Sequence, residues 1–486
     1  MVQTRSQWRA SASRLSPELL RMIFAWFCPH CRGKFEWENW ADDDVSEERG
    51  QDICSLVNLC LVSVAFRNAA QEVLYHSFDT HYLSMSRSRL RLEQFLRSIA
   101  ARPDLARSVK AVSLHPDSIA RLDFFASRDA FDHCAHALGT SALDLWRQTE
   151  LVYRANPQTQ HPGCEAFFVR DADPGSWAQG PSIPFVASQL LTMLVALLPN
   201  LSYLKVDSNT DQLDLSRATS TAIGLTRLPL KSLDTILRFE SLLKLSPDIE
   251  TLVCRSRSRL SWNSLPSVRS LVVASSSVDS LDIHDLLSVC TGDLSNFSYR
   301  GTNATAEQIV RVLSTERLHA TLQSIHIDCR LVNFIVRNRV MPNFTPFLNL
   351  RTLFLSIFLM HPDADSDSQA LVSMLPASIE SLTLVGNDAG LTFDYNQAKF
   401  IRCLRNKLVG LAEAKANASG FKHLSRVRCD ASQVCTRYVR SRFKRVGVDF
   451  MYQESLRLDT FIPEISFTDV NPHYALPLPD SDGDDL

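Results

Sequence analysis

The sequence predicts an α/β protein in which an N-terminal helical module precedes a curved repeat solenoid with a parallel sheet. Two patterns indicate this fold class. A six-residue phrase of the form apolar-x-x-apolar-x-apolar returns along most of the chain, and segments with helical periodicity lie between its copies. The chain has 486 residues and 45% hydrophobic content, which is enough to bury an extended core.

The first predicted helix begins at Pro17. Ser16 is a favourable N-cap, Pro17 suits the first helical position because its missing N–H costs nothing there, and Glu18 complements the positive helix end. Apolar residues then follow at the spacing of one helical face: Leu19, Leu20, Ile23, Phe24 and Phe27, with Met22 and Trp26 off that stripe. A second amphipathic segment runs from Asp52 to Phe78. Together they predict a helical hairpin whose apolar surface needs a partner.

The repeated phrase predicts the strands of the solenoid. Its copies begin at Val109, Leu201, Leu230, Ile249, Val268, Leu294, Leu322, Leu350, Ile379 and Leu424. From Val268 to Ile379 successive copies start 26, 28, 28 and 29 residues apart, which is typical of a repeat protein. Short strands that alternate with helical crossovers form a parallel sheet bent into an arc, because each unit buries its apolar side on its neighbours.

The N-terminal residues resemble the F-box, a short helical module. Its pattern of Leu-Pro-x-Glu-Leu, an Ile-Phe pair, a Leu-rich segment, Val-Ser, an aromatic and Leu-Tyr falls on Leu15, Pro17, Glu18, Leu19, Ile23, Phe24, Leu56, Leu59, Leu61, Val62, Ser63, Phe66, Leu74 and Tyr75. Two departures are a Ser between Leu15 and Pro17, and 24 residues between Phe27 and Asp52 where the family has a short loop.

The F-box resemblance implies that this apolar surface docks on a Skp-type adaptor and, through it, on a cullin ubiquitin ligase. The residues expected to bind the adaptor are Leu15, Pro17, Leu19, Leu20, Ile23, Phe24, Leu56, Leu59, Val62 and Phe66. The chain would be a non-catalytic substrate-recognition subunit, and the chemistry would belong to its partners. The alternative is a protein-binding scaffold without a ligase role; a nucleic-acid or zinc-binding protein is a third reading.

The repeats resemble the degenerate leucine-rich repeats often found behind an F-box in fungal proteins. They depart from the strict pattern, because the Asn expected eight residues after the first Leu is present only at Asn209 and Asn387. If positions one, four and six face inward, positions three, five and seven face the concave surface. The candidate contacts for a target protein on that surface are Arg255, Arg300, His326, Phe354 and Arg428.

These patterns divide the chain into three parts. Residues 1–80 form the helical module with an inserted loop at about 28–51, in which the acidic run from Asp42 to Glu48 is expected to be a solvated loop. Residues 81–455 form the solenoid, with an irregular insertion at about 115–185 that is rich in Pro and Gly. Residues 456–486 form a C-terminal segment with an acidic tail.

A Cys-Pro-His-Cys sequence at Cys28 to Cys31 has the spacing with which two thiolates hold one zinc ion. His30, Cys54 or Cys60 could complete a tetrahedral set. No second Cys-x-x-Cys or pair of histidines follows at a suitable distance, and no thioredoxin-like pattern surrounds the motif. The expectation from sequence is therefore no metal and no cofactor.

Composition and motifs exclude several classes of protein. The formal net charge is −2, so no global field attracts nucleic acid or an anionic membrane. A basic and aromatic cluster between Arg437 and Arg445 is more typical of a solvated helix face than of a nucleic-acid site. The N-terminus lacks a signal-peptide core, no apolar run could span a membrane, and no catalytic motif occurs, which predicts a cytoplasmic or nuclear protein that is not an enzyme.

Overall fold

A computed structural model describes residues 15–28, 30–31, 43–80, 85–115, 124–145, 147, 183–206, 213–235, 240–255, 264–274, 278–301, 303–329, 342–356, 368–386, 397–417 and 420–452. In these residues the architecture is α/β: a single parallel sheet of 12 strands, with helices in most of the intervals between successive strands. The strands lie side by side in chain order, and each pairs in parallel with the next. This arrangement confirms the predicted solenoid-like α/β fold.

The twelve strands are short and regularly placed. They are β1 (Ser77–Asp79), β2 (Ala111–Leu114), β3 (Tyr203–Val206), β4 (Ser232–Thr235), β5 (Thr251–Cys254), β6 (Ser270–Ala274), β7 (Asn296–Arg300), β8 (Ser324–Asp328), β9 (Thr352–Ser356), β10 (Ser381–Val385), β11 (Arg426–Cys429) and β12 (Asp449–Tyr452). Each of the ten predicted phrases overlaps one of the strands β2 to β11, and the fourth residues of successive phrases pair across the sheet, as Leu204, Leu233 and Leu252 do.

The two outermost strands were not predicted, because their phrases are incomplete. In β1, Phe78 occupies the fourth position but the sixth is Thr80. In β12, Phe450 pairs with Val427 at the fourth position, but the first position falls on Gly447, which has no side chain. β1 also lies just before residue 81, where the solenoid was expected to begin.

Helices precede the sheet and lie in most of the intervals between its strands. They are α1 (Pro17–Ala25), α2 (Asp43–Cys60), α3 (Val64–Leu74), α4 (Met85–Ala101), α5 (Pro103–Ser108), α6 (Phe124–Ala137), α7 (Ile183–Leu197), α8 (Arg217–Ala222), α9 (Glu240–Leu245), α10 (Ser280–Val289), α11 (Ala306–Leu313), α12 (Glu316–Thr321), α13 (Ala370–Met374), α14 (Gln397–Ala416) and α15 (Arg437–Arg445). Helices α1 to α3 precede the sheet and form the N-terminal helical module.

The helix α2 corrects one prediction. It begins at Asp43, so the part of the acidic run from Asp43 onward is helical and is not a loop. The predicted segment from Asp52 to Phe78 is divided at Ser63, whose hydroxyl caps α3 by accepting a hydrogen bond from the Phe66 amide at 3.2 Å.

The main core lies between the sheet and its helices. The fourth and sixth residues of the phrases are buried there, including Leu271 and Leu353, which have no exposed surface. Buried thiols such as Cys134 and Cys290 join this core as small apolar side chains, and burial raises the pKa of each to about 12.

Replacing Leu353 by alanine is expected to lower the free energy of unfolding by about 2–5 kcal/mol, because it leaves a cavity at a fully buried position. Leu348 lies just before the same strand but is 71% exposed, so Leu348→Ala is expected to change the stability by less than about 0.5 kcal/mol. Urea titration of both variants measures the difference. Equal effects would contradict the assignment of Leu353 to the repeat core.

Candidate docking site on the helical module

The helical module has its own small core, separate from that of the sheet. Its buried apolar members are Leu20, Phe24, Cys28, Leu56, Ala69, Ala70 and Val73, and Phe66 packs on Phe24 edge to face with ring centroids 5.3 Å apart. The start of α1 is as predicted: Pro17 is its first residue, and the Ser16 hydroxyl accepts a hydrogen bond from the Leu19 amide at 3.3 Å. An ion pair of 2.6 Å between Arg21 and Glu72 joins α1 to α3.

The other side of α1 carries a second apolar stripe, which is exposed. This outer stripe consists of Leu19, Met22, Ile23 and Trp26, whose spacing of three, four and seven residues places them on one helical face. These side chains are between 46% and 74% exposed. A helix that is apolar on both sides is normally covered on both, so the outer stripe has the character of a surface that binds another protein.

Further apolar side chains are exposed where α2 ends and α3 begins. They are Val57, Leu61, Val62 and Val64. The Arg67 side chain holds this turn by donating a hydrogen bond to the Cys60 carbonyl at 3.2 Å. The module therefore presents apolar surface from the turn as well as from α1.

The structure divides the residues predicted to bind the adaptor into two groups. Leu15, Pro17, Leu19, Ile23 and Val62 are exposed. Leu20, Phe24 and Leu56 are buried, and Leu59 and Phe66 are partly buried against them. The side chains of this second group pack the three helices together, so of the two groups only the first is exposed on the module; the adaptor contacts themselves stay a prediction. Sequence reasoning missed Met22 and Trp26, which it placed off the apolar stripe although their own periodicity indicates a second one.

The predicted target-binding residues lie on the sheet face opposite the helices, but the structure corrects their exposure. His326 and Phe354 are fully buried, and Arg255 is almost so. The Ser298 hydroxyl lies 2.9 Å from Nδ1 of His326, and the His326 ring meets Phe354 edge to face at 3.8 Å. Side chains from adjacent strands thus contact one another on this face through a hydrogen bond and a ring contact.

Arg255 has a defined structural partner in the neighbouring strand. Its Nε and Nη2 donate hydrogen bonds of 2.7 and 2.8 Å to the two carboxylate oxygens of Asp234. Asp234 is fully buried and lies in β4, whereas Arg255 follows β5 directly. This bidentate pair is a buried link between two repeats.

Two of the five predicted target contacts, Arg300 and Arg428, are partly exposed. Arg300 ends β7, and Arg428 lies in β11 two residues after Arg426, which forms the exposed start of that strand. Burial and, to a smaller extent, the positive charge of Arg426 lower the pKa of Arg428 below its usual range. Accessible positive charge on this face is therefore present at β7 and β11.

The basic and aromatic cluster forms the helix α15, as predicted. Phe443 is fully buried in the core. Tyr438 is exposed, but its hydroxyl accepts a hydrogen bond of 2.9 Å from Arg442, whose guanidinium lies over the Tyr438 ring. The arginines and Lys444 thus border the solvated side of an amphipathic helix, and Phe443 is not available to stack on a base.

Four potential metal ligands converge beside the helical module. They are Cys28, His30, Cys31 and His76, whose ligand atoms all lie within 4.8 Å of one another. Of the three candidate partners for the Cys-x-x-Cys motif, His30 belongs to this group and Cys54 and Cys60 lie outside it; His76 is not predicted from the sequence. The hydrogen bond from the Cys28 thiol lowers the pKa of Cys31 to about 3 and raises the pKa of Cys28, while burial opposes the first shift.

A scan against protein-family models finds no matching family, and a comparison with curated proteins finds no matching relative. Among the helices that the structure describes, none is both long enough and apolar enough to cross a membrane. The geometry of the described residues is thus the basis for a functional assignment.

Proposed function

We propose that this chain is the substrate-recognition subunit of a Skp-cullin-F-box ubiquitin ligase. The helical module would dock on a Skp-type adaptor, and the repeat solenoid would bind the target protein. The observation that carries the proposal is the outer stripe of α1, an exposed apolar surface on a small helical module whose sequence resembles the F-box. The chain itself would have no catalytic role.

The separation of the two cores supports this division of labour. The module buries one apolar side of α1 in its own core and leaves the other side exposed, so docking would not require the module to unfold. The exposed turn between α2 and α3 adds apolar area to the same module. Protein interfaces derive most of their binding energy from a few such large apolar side chains at their centre.

The direct test is a binding measurement between the purified full-length chain and a purified Skp-type adaptor. Isothermal titration calorimetry is expected to show a complex of defined stoichiometry, with the negative heat-capacity change of apolar burial. A folded chain that gives no complex at tens of micromolar adaptor would overturn the proposal. It would favour instead the scaffold without a ligase role.

The target protein would contact Arg300 and Arg428, the two predicted target contacts that are partly exposed on the sheet. Charge reversal at both positions is expected to remove target proteins from the set captured with the chain and to leave adaptor binding unchanged, because both residues lie on the sheet and far in sequence from the module. Quantitative interaction proteomics of the variant and the native chain measures this. Reversal at Lys444, an exposed cation of α15, is the matched control. An unchanged set of partners with an intact fold would exclude these arginines from the target site.

A further inference from the structure

The cluster of Cys28, His30, Cys31 and His76 joins two parts of the chain that are distant in sequence. Cys28, His30 and Cys31 follow the end of α1, whereas His76 lies between the end of α3 and the start of β1. The ligand atom of each side chain lies within 4.8 Å of the other three. The two thiols and two imidazoles are thus contributed by the segment that follows α1 and by the segment that follows α3.

The distances within the cluster are close to those of a tetrahedral zinc site. The Cys31 sulfur lies 3.1 Å from Nδ1 of His76 and 3.9 Å from Nδ1 of His30, and the Cys28 sulfur lies 4.0 Å from Nδ1 of His76. Zinc bonds of about 2.3 Å to sulfur and about 2.0–2.1 Å to nitrogen separate neighbouring ligand atoms by about 3.3–3.8 Å. Shifts of less than about 1 Å would bring these atoms into a coordination sphere.

Backbone hydrogen bonds fix the two halves of the cluster. The Cys28 amide donates to the Ala25 carbonyl at 3.1 Å, which continues the last turn of α1. The His76 amide donates to the Val73 carbonyl at 3.1 Å, and the His76 carbonyl accepts from the amides of Lys110 and Ala111 at 2.9 and 3.1 Å. His76 is therefore held both by α3 and by the residues that start β2.

A cavity lies beside one member of the cluster, Cys28. This cavity of about 290 Å³ lies between the module and the helix α4, and Cys28 lines it together with Leu56, Leu74, Phe78 and Phe95. The junction between the module and the first strands is thus incompletely filled by side chains. A bond network at this junction would hold the module in place where apolar packing is sparse.

We propose that Cys28, His30, Cys31 and His76 bind one zinc ion, which holds the helical module against the start of the sheet. Two sulfur and two nitrogen ligands in a tetrahedral arrangement favour zinc over magnesium or calcium, which prefer oxygen. With four protein ligands the ion keeps no open position for a substrate, so the site is structural. The proposal does not depend on adaptor binding, and it departs from the expectation from sequence that the chain holds no metal.

The test uses the full-length chain purified in the presence of a phosphine reductant and zinc and then desalted. Elemental analysis is expected to find about one zinc ion per chain. Replacement of zinc by Co²⁺ is expected to give the visible absorption of a tetrahedral site with thiolate ligands. Chelation is expected to lower the thermal unfolding temperature, because the metal binds the folded chain and not the unfolded one.

Variants separate metal binding from folding. Cys31 and His76 are the informative positions, because Cys28 also fills the core of the module and its loss could unfold the module by itself. Cys31→Ser and His76→Ala are expected to lose the zinc and the cobalt spectrum while the circular dichroism of the rest of the chain is retained. Cys54→Ser is the matched control, since Cys54 is an exposed cysteine of α2 outside the cluster, and it is expected to keep the metal.

Three results would overturn the proposal. They are a folded native chain without stoichiometric zinc, a Cys31→Ser chain that retains zinc as the native chain does, and a Cys28–Cys31 disulfide detected by mass spectrometry in the chain purified under reducing conditions. Adaptor titration of the zinc-loaded native chain, run in parallel, shows separately whether the proposed ligase function fails.

Discussion

Replacement of Ile23 by aspartate is expected to abolish binding of a Skp-type adaptor without unfolding the chain. Ile23 lies in the middle of the outer stripe and is about half exposed, so the folded chain accepts a charge there at little cost. In the complex the same carboxylate would be removed from water and placed in an apolar interface without a partner. Loss of the apolar contact alone commonly costs about 2 kcal/mol, and the buried charge adds to it, so a fall of about 100-fold or more in affinity is expected.

The experiment compares variants with matched chemistry. Leu281→Asp introduces the same charge at an exposed leucine of α10, at the start of the helix and away from the module, and it is expected to bind the adaptor as the native chain does. Phe24→Ala removes a core side chain one residue from Ile23 and is expected to lower the stability of the module. Calorimetric titration and thermal unfolding of all three distinguish lost docking from lost folding. Native affinity for Ile23→Asp would exclude the outer stripe from the interface.

The strands were predictable because their signal is local and repeated. Each of the phrases from Val109 to Leu424 places apolar residues at fixed positions, and parallel strands of a solenoid need those positions for contact with the adjacent repeats. The same rule explains why the last strand was missed. An end strand has a neighbour on one side only, so Gly447 before β12 is tolerated at the first position, where each of the ten predicted phrases has an apolar side chain.

The alternation of side chains along each strand did not predict how deeply the face opposite the helices is buried. Asp234, Ser298 and His326 are polar residues at the fifth phrase position. Alternation along a strand predicts that this position is exposed to solvent, yet all three side chains are buried. Their burial is stabilised by partners on adjacent strands: Arg255 for Asp234, and His326 for Ser298. A phrase read by itself cannot reveal these partners, because they belong to another repeat.

The cysteine and histidine cluster illustrates the same limit. The Cys-x-x-Cys motif is visible in the sequence, but the fourth side chain, His76, lies 45 residues after Cys31 at the end of an ordinary amphipathic helix. Only the packing of α3 beside α1 brings it within reach. Likewise, the two apolar stripes of α1 could be read from spacing, but which of them faces the core depends on α2 and α3.

The buried pair of Asp234 and Arg255 leads to the second large expected effect. Asp234→Ala is expected to lower the free energy of unfolding by about 3–5 kcal/mol. The substitution removes the carboxylate that neutralises a guanidinium whose side chain is only 5% exposed. Strands β4 and β5 are adjacent and lie inside the sheet, so loss of this ion pair weakens the contact between two internal repeats. Urea denaturation followed by circular dichroism measures the change.

A second ion pair beside the same two strands provides the control. Lys231 and Glu250 lie 2.8 Å apart just before β4 and β5, but each side chain is about half exposed, so Glu250→Ala is expected to cost no more than about 1 kcal/mol. Replacing Asp234 by leucine together with Arg255 by methionine is expected to recover most of the stability, since a well-packed apolar pair can substitute for a buried ion pair. If Asp234→Ala cost as little as Glu250→Ala, the buried pair would not link the repeats. If the double replacement recovered nothing, the loss would reflect the shape of the site and not its unbalanced charge.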